Sequence, residues 1–325
     1  MKQFKSVFSK EFKDLIDLKR TKGYKYESEE RSFKRIDEFF RKENLNEKII
    51  PKSLVEKWNA KRDWENENNR NSRVSTLRIF CQYLKDLGYE AYVTPKNTFR
   101  KGPKYNAHIY SDDELQCFFK AVDESQSVES ECPYRSIVMP VFFRILYTSG
   151  LRVSELRLLK LKDMHEDEGY ITIIDGKNHK DRNVPIHPEL AEKCKEIREM
   201  IHKFSSEDEY FFKIKDGRCM TLQNVYRNFR RYLDKANISH TGKGPRVHDF
   251  RHTYCVNLLR KWFVEDKNLL NYLPYMKTML GHETFDETAY YLKLTQELFP
   301  EITLKLETAY SSFIEHVEVK DEEYY

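Results

Sequence analysis

Residues 170–186 hold the one clear β signal of the chain. Tyr170-Ile171-Thr172-Ile173-Ile174 is apolar and rich in β-branched residues, Asp175 to Arg182 is polar, and Val184-Pro185-Ile186 resumes the apolar pattern. Two such runs around a polar turn read as an antiparallel hairpin. Pro185 has no N–H to give to a ladder, so its strand is expected at an exposed edge. The rest reads as helix and turn. The fold is therefore expected to be mainly α, with a small antiparallel β-sheet or hairpin on one side of a helical domain.

The helices fall into two sets. Phe8, Phe12, Leu15 and Ile16 recur at helical spacing, and Phe33, Ile36, Phe39 and Phe40 mark a second helix. Pro51 opens a third, at a first-turn position where its missing N–H costs nothing, with Leu54, Val55 and Trp58 on the apolar side. A fourth runs from about Val74 through Leu77, Cys81 and Leu84, and Gly88 is placed to end it. Residues 1–93 thus read as a four-helix bundle. Pro95 to Lys104 holds two prolines, one glycine and four bases, which makes 94–107 a basic linker. Ser111 then reads as an N-cap with Glu114 three positions on, opening a second domain over 108–299. In it, an apolar helix from Ile137 to Ser149 can end at Gly150, and Leu222–Leu233, Val247–Arg260 and Pro274–Leu280 read as helices. Residues 300–325 form an acidic tail of seven acids and two bases around Ile302, Leu304, Leu306 and Phe313.

At 325 residues there is room for two domains and a sizeable core. No apolar run approaches a membrane span, and Met-Lys-Gln-Phe-Lys at the start is no signal peptide. A cytoplasmic protein with no membrane partner is expected. No two of the six cysteines lie two or four residues apart, so they read as reduced thiols rather than zinc ligands or disulfides. Net charge is +4, but residues 1–105 carry 26 Lys and Arg against 16 Asp and Glu, a net +10. A basic first third fits a surface that tracks phosphates.

Four short motifs carry the chemistry. They are Gly150-Leu151-Arg152-Val153-Ser154-Glu155-Leu156, then Gly176-Lys177 in the hairpin turn, then His248-Asp249-Phe250-Arg251, then Gly281-His282 with Tyr291 nine residues after the histidine. Each alone has an ordinary reading as a surface arginine, a solvated turn lysine or a packing aromatic. Together they supply a phenol, bases, acids and cations, which suits attack by a tyrosine on a phosphodiester. The transition state of that reaction gains negative charge, so cations must already be aimed at the phosphate oxygens. Arginine serves best, because its fork matches phosphate and keeps its proton. Gly150 puts Arg152 at a sharp turn, and the three-residue spacing puts His248 and Arg251 on one helix face. His252, four beyond His248, raises a zinc pair. The hydrolase motif, however, needs a Glu directly after its first His, where this chain has Asp249.

In this order the motifs resemble those of the tyrosine recombinase (phage integrase) family, over roughly residues 105 to 300. The resemblance implies a SAM-like core-binding bundle and a tyrosine-recombinase catalytic domain that clamp duplex DNA from opposite faces. It implies Tyr291 as the nucleophile that keeps the 3′ phosphate, His248 as acceptor of the phenolic proton, and Lys177 as general acid for the leaving 5′ oxygen. Arg152, Arg251 and His282 would hold the phosphate, with His282 as a hydrogen-bond donor. Glu155 matches the acidic position that holds Arg152 or the His motif, and His252 is structural. Lys180 and Arg182 compete with Lys177, and Tyr290 competes with Tyr291. The implied partners are double-stranded DNA with recombination sites and a homo-tetramer on that DNA, with room for an accessory DNA-bending protein. No cofactor and no metal are called for, and the acidic tail would dock on a neighbouring protomer.

The stretch from Arg260 to Tyr272 is longer than the family's usual connection and lacks its glycine. This favours an integrase or transposase of a mobile element over a chromosome-dimer resolvase. The arm-type DNA-binding module of larger integrases is expected to be absent. A type IB topoisomerase would use the same chemistry as a monomer. A DNA-binding regulator derived from a recombinase is the rival of another class, though it would have no need of Tyr291.

Overall fold

The computed structural model describes residues 3–103, 105–128, 133–176, 180–241 and 244–299. These form two compact units, the second beginning at Tyr105. Lys177 and the tail 300–325 lie outside the described residues.

The first unit packs α1 (Ser9–Thr21), α2 (Glu27–Lys42), α3 (Lys52–Asn59) and α4 (Glu67–Asp86) around an aromatic core. The Phe12 ring stacks on Phe80 with centroids 3.9 Å apart, and Phe8, Phe33 and Phe40 all approach Phe80 within 6.5 Å. Two carboxylates tie the edges of this core. Asp37 accepts the main-chain N–H groups of Lys5 (3.0 Å) and Ser6 (2.9 Å), and Glu11 accepts from Tyr89 Oη at 3.0 Å. Helix α4 starts at Glu67, two turns before the first apolar position that announces it. Its polar first turns are held by the Asn66 side chain, which accepts the Asn69 N–H at 2.8 Å. Pro51 stands at the N-cap of α3, one position earlier than expected.

The second unit opens with α5 (Asp112–Asp123), capped as its sequence requires. The Ser111 N–H donates to Glu114 Oε2 (2.9 Å) and the Glu114 N–H to Ser111 Oγ (3.1 Å). Helix α6 (Arg135–Ser149) runs through the middle, with Phe142, Phe143 and Ile145 wholly buried. It packs on α5, on α8 (Pro188–Ile201) and on α10 (Asp249–Val264). Phe229 and Tyr232 of α9 (Leu222–Lys235) and Phe250 of α10 complete the main core. The hairpin is part of a three-stranded antiparallel sheet, β1 (Met164–His165), β2 (Tyr170–Ile173) and β3 (Arg182–Pro185), in that order. Pro185 pairs with Tyr170 on the edge strand β3, and Ile173 pairs with Arg182 beside the turn. The two-residue β1 is too short to carry a period.

A second, smaller apolar cluster joins α10 to α11 (Leu269–Leu280) and α12 (Asp286–Leu298). It holds Cys255, Leu259, Leu273, Met276, Leu280 and Tyr291. Helix α11 starts five residues before Pro274, where the proline alone had placed it. The stretch from Arg260 to Tyr272 is thus mostly helix, the end of α10 and the first turn of α11.

Phe12 is wholly buried and its ring meets those of Phe4, Phe33, Phe40 and Phe80, so Phe12→Ala is expected to destabilise that unit by ~3–5 kcal/mol. Urea unfolding of the full chain, followed by circular dichroism, measures it; a loss under 1 kcal/mol would contradict the described packing.

Candidate active site

The site lies wholly in the second unit and begins where α6 ends. Gly150 has φ +64°, and a Cβ there would lie 2.7 Å from the Tyr254 ring, so only glycine makes this turn. The turn leads into the short helix α7 (Val153–Arg157), with Arg152 at its N-cap. Glu155 Oε2 accepts the Arg152 N–H at 2.9 Å, and Oε1 accepts from Arg152 Nη1 at 3.2 Å. Arg152 Nη1 also lies 3.3 Å from the Leu280 carbonyl.

Arg251, in the first turn of α10, is the most enclosed charge of the site at 1% exposure. Its Nη1 donates to the Gly150 carbonyl (2.7 Å), and its Nη2 donates to the Leu280 carbonyl (2.9 Å) and to His282 Nε2 (2.8 Å). Gly150 and Leu280 stand at the C-terminal ends of α6 and α11. Carbonyls there lack helical partners and sit at the negative end of the helix dipole, so they hold a buried guanidinium well. Burial works against the Arg251 charge, but Tyr291, Cys255 and Glu155 outweigh it and raise its pKa above the ordinary arginine value.

A guanidinium can only donate, so His282 Nε2 accepts and the ring proton is on Nδ1. That proton goes to Thr288 Oγ1, 2.9 Å away. As the side chains stand, Nε2 is an acceptor for Arg251, not the phosphate donor that the resemblance implies. Donation from Nε2 needs a second proton on the ring or a change of tautomer. The Tyr291 ring lies parallel to the His282 ring, with centroids 5.9 Å apart. Tyr291 is 2% exposed, and after desolvation it is the largest influence on the Arg251 pKa. The Tyr290 ring packs partly buried against the same small cluster, with its centroid 5.3 Å from that of Tyr291 and 5.8 Å from that of His252.

His248 caps α10 and is only partly buried. Desolvation, then the neighbouring His252, Arg251, Arg152 and His282, hold its pKa well below 6.5, so it is neutral at pH 7. A neutral imidazole beside a phenol can accept a proton. Arg152 and His248 are the more accessible members, so a phosphate would enter from their side. His252 is buried beside His248, with ring centroids 4.9 Å apart. Among the described residues no three His, Cys, Asp or Glu side chains gather as metal ligands.

Arg152, His248, Arg251, His282 and Tyr291 are therefore brought together, while Lys177 lies outside the described residues. Lys180 is exposed beside the turn. Arg182 is not a free turn base. It is 9% exposed and donates Nη1 and Nη2 to Glu155 Oε1 (3.1 Å) and Oε2 (2.8 Å), and Nε to the Met279 carbonyl (2.8 Å). Glu155 thus grips Arg152 and Arg182 rather than the His motif. Burial pushes its pKa up, but Arg182, Arg152 and Arg251 bring it below the ordinary carboxylate value. Sequence reasoning did not foresee Thr288 or the two helix-end carbonyls. Main-chain acceptors leave no trace in residue type, and Thr288 sits in no motif.

The His248 shift has a consequence for stability. Between its folded pKa and 6.5 the unfolded chain binds more protons than the folded one, so this contribution is complete above about pH 6.5 and declines as pH falls below it. In urea titrations from pH 7.5 to 5, His248→Gln should lose less stability on acidification than the wild-type chain. His202, also shifted down by burial, acts in both proteins alike. Parallel curves for the two proteins would refute the assignment.

The sequence model of the phage integrase family matches residues 111–297. A Sinorhizobium fredii protein named as an integrase/recombinase, y4rB, is 27% identical over 93% of this chain and 98% of its own length. The tyrosine recombinase XerA of Thermococcus kodakarensis is 34% identical over 47% of this chain and 50% of its own. In fold the chain is similar to the Tn1549 transposon integrase in complex with transposon right end DNA. The TM-score is 0.60 at 16% identity, covering 90% of this chain and 98% of the other.

Proposed function

The chain belongs to the phage integrase family of tyrosine recombinases, which cleave and rejoin DNA, and we propose that it does so through a covalent phosphotyrosine at Tyr291. The observation that carries this reading is the stack of the buried Tyr291 ring on His282, with centroids 5.9 Å apart, where His282 Nε2 accepts from the buried Arg251 at 2.8 Å. A packing tyrosine has no need of a buried guanidinium and imidazole beside it. A nucleophile does, because the guanidinium stabilises the developing phenolate and then the phosphate.

In the reaction the Tyr291 oxygen forms a bond to the scissile phosphorus and its proton passes to His248. The bond from phosphorus to the 5′ oxygen breaks, and Lys177 supplies the proton that the leaving oxygen takes. Arg152 and Arg251 neutralise the non-bridging oxygens, and His282 steadies Arg251 before it serves the phosphate. A 5′ hydroxyl of a partner strand reverses the step, so the ester conserves the energy of the broken bond. The chemistry calls for neither nucleotide nor metal.

The basic residues before 105 supply non-specific phosphate contact as a core-binding domain, so affinity falls with salt by about 0.9 log units per log unit for each neutralised phosphate. Four protomers on two DNA duplexes, in the cytoplasm, carry out integration, excision or transposition of a mobile element. The apolar residues of the acidic tail dock each protomer on its neighbour. What supports the element role is the long connection after α10 and the likeness to relatives named as integrases.

A nicked suicide substrate with denaturing gels tests the assignment. Tyr291→Phe keeps the ring and should bind DNA but form no adduct, whereas Tyr290→Phe should still form one. Arg152→Ala and Arg251→Ala should each slow adduct formation by roughly a hundredfold or more. An adduct mapped by peptide mass to Tyr290, or cleavage that stops with a chelator, would overturn the reading. Truncation after Pro300 should leave DNA binding intact and remove the tetramer seen by light scattering of the DNA complex.

A further inference from the structure

We propose that Arg182 is a positioning residue for the cleavage reaction, which fixes Glu155 so that Arg152 keeps its charge for the phosphate and which sets the spacing between the hairpin turn and the Gly281-His282 turn. The proposal rests on the recombinase reading given above and extends it to a residue outside the ordered motifs.

Three observations carry it. First, Arg182 takes both oxygens of the Glu155 carboxylate through its two terminal nitrogens, at 3.1 and 2.8 Å. Arg152 Nη1 meets the same carboxylate at 3.2 Å. Two arginines thus share one acid, and the fork of the carboxylate belongs to Arg182. Without Arg182, Glu155 would be a nearly buried anion whose closest cation is Arg152, and Arg152 would be drawn into the fork and neutralised. Second, Arg182 Nε donates to the carbonyl of Met279 at 2.8 Å, next to the Leu280 carbonyl that accepts from Arg152 and Arg251. Third, both of the motif glycines on either side press against this guanidinium. A Cβ on Gly176 would lie 3.0 Å from Arg182 Nη1, and one on Gly281 would lie 2.9 Å from it. Gly176 precedes Lys177 and Gly281 precedes His282, so one side chain spaces the segments that carry both. Glu155 is held in its charged form mainly against desolvation, with Arg182 the strongest favourable partner, which agrees with the geometry.

The experiment uses the full chain and the nicked suicide substrate. Single-turnover adduct formation, DNA affinity by gel shift and thermal melting are measured for Arg182→Gln, Arg182→Lys, and Arg182→Gln combined with Glu155→Gln. Arg182→Gln is expected to bind DNA with wild-type affinity and to form adduct roughly a hundredfold more slowly, the cost of a misplaced group at a reacting centre. The double variant should regain at least about tenfold, because removing the carboxylate releases Arg152 again. Arg182→Lys keeps the charge but not the fork, so its rate should lie between. A residue that merely pins the sheet to α11 would give no recovery in the double variant. Wild-type rate in Arg182→Gln, or a double variant no faster than the single one, overturns the proposal. If Arg182→Gln does not fold, Arg182→Lys decides: a slowed rate at wild-type melting temperature supports the role, and a wild-type rate removes it. If the wild-type chain itself forms no adduct, the recombinase reading fails and this role falls with it.

Discussion

Placing several arginines at low exposure in one small region is the constraint on which the second unit depends. A buried cation without partners costs several kcal/mol, so the fold around it must supply acceptors before anything else can be optimised. Arg251 and Arg182 are buried, and the Arg152 side chain is 16% exposed, while the carboxylate between Arg152 and Arg182 belongs to the single residue Glu155. The other described acceptors are His282 Nε2 and three main-chain carbonyls, those of Gly150, Met279 and Leu280. All three come from the last turns of helices or the residue just beyond. The lengths of α6 and α11, and the glycines that stop each, are therefore part of the electrostatics of the site. Gly150 ends one helix with a carbonyl facing Arg251, and Gly281 turns the chain after the other while leaving room for Arg182.

The excess of cation over anion in this cluster is what makes it a site rather than a salt bridge. A structural network tends toward neutrality, whereas here three guanidiniums face one carboxylate. Desolvation and then this surplus keep His248 neutral, since a protonated imidazole would add to the repulsion. The surplus also turns His282 into an acceptor and hands its proton to Thr288. The same field would attract an anion such as a phosphate. One imbalance thus bears on His248, on His282 and on the attraction of the cluster for an anion together.

How far the residues announced this arrangement varies with the kind of information each part needs. The apolar periods marked α1, α2, α3 and α6 because burial imposes a spacing on side chains, and Ser111 with Glu114 marked the start of α5 because a cap needs those two types. Helix α4 starts earlier than its apolar period indicates because its first two turns are polar and are held by the Asn66 cap and by side-chain bonds such as Arg73 to Glu65. Pro274 misled about α11, since a proline can stand within the second turn when the preceding residues pack, as Leu269 and Leu273 do. Among the site residues, Arg152, His248, Arg251, His282 and Tyr291 were visible because their chemistry needs those side chains in that order. The competition for the hairpin base was only partly readable. Arg182 and Lys180 are both basic residues of one turn, and nothing short of burial separates a solvated lysine from an arginine locked on Glu155.

The division of the apolar core bears on how such a closed site can work. Arg251 and Tyr291 are 1% and 2% exposed, so a phosphate reaches both only after something moves. Phe250, next to Arg251, is anchored in the main core with Phe118, Phe143 and Phe229, which fixes α10. Tyr291 belongs instead to the smaller cluster with Leu273, Met276 and Leu280. Displacing α12 breaks contacts in that smaller cluster and leaves the main core whole. Arg251 would then stay aimed by the Gly150 carbonyl, held by the fixed helix α6, while the tyrosine moves to the phosphate. In the reaction proposed above, the arginine that meets the phosphate would follow Phe250 in the main core and the attacking tyrosine would rest on the smaller cluster, so the cation could stay preorganised while the tyrosine moves.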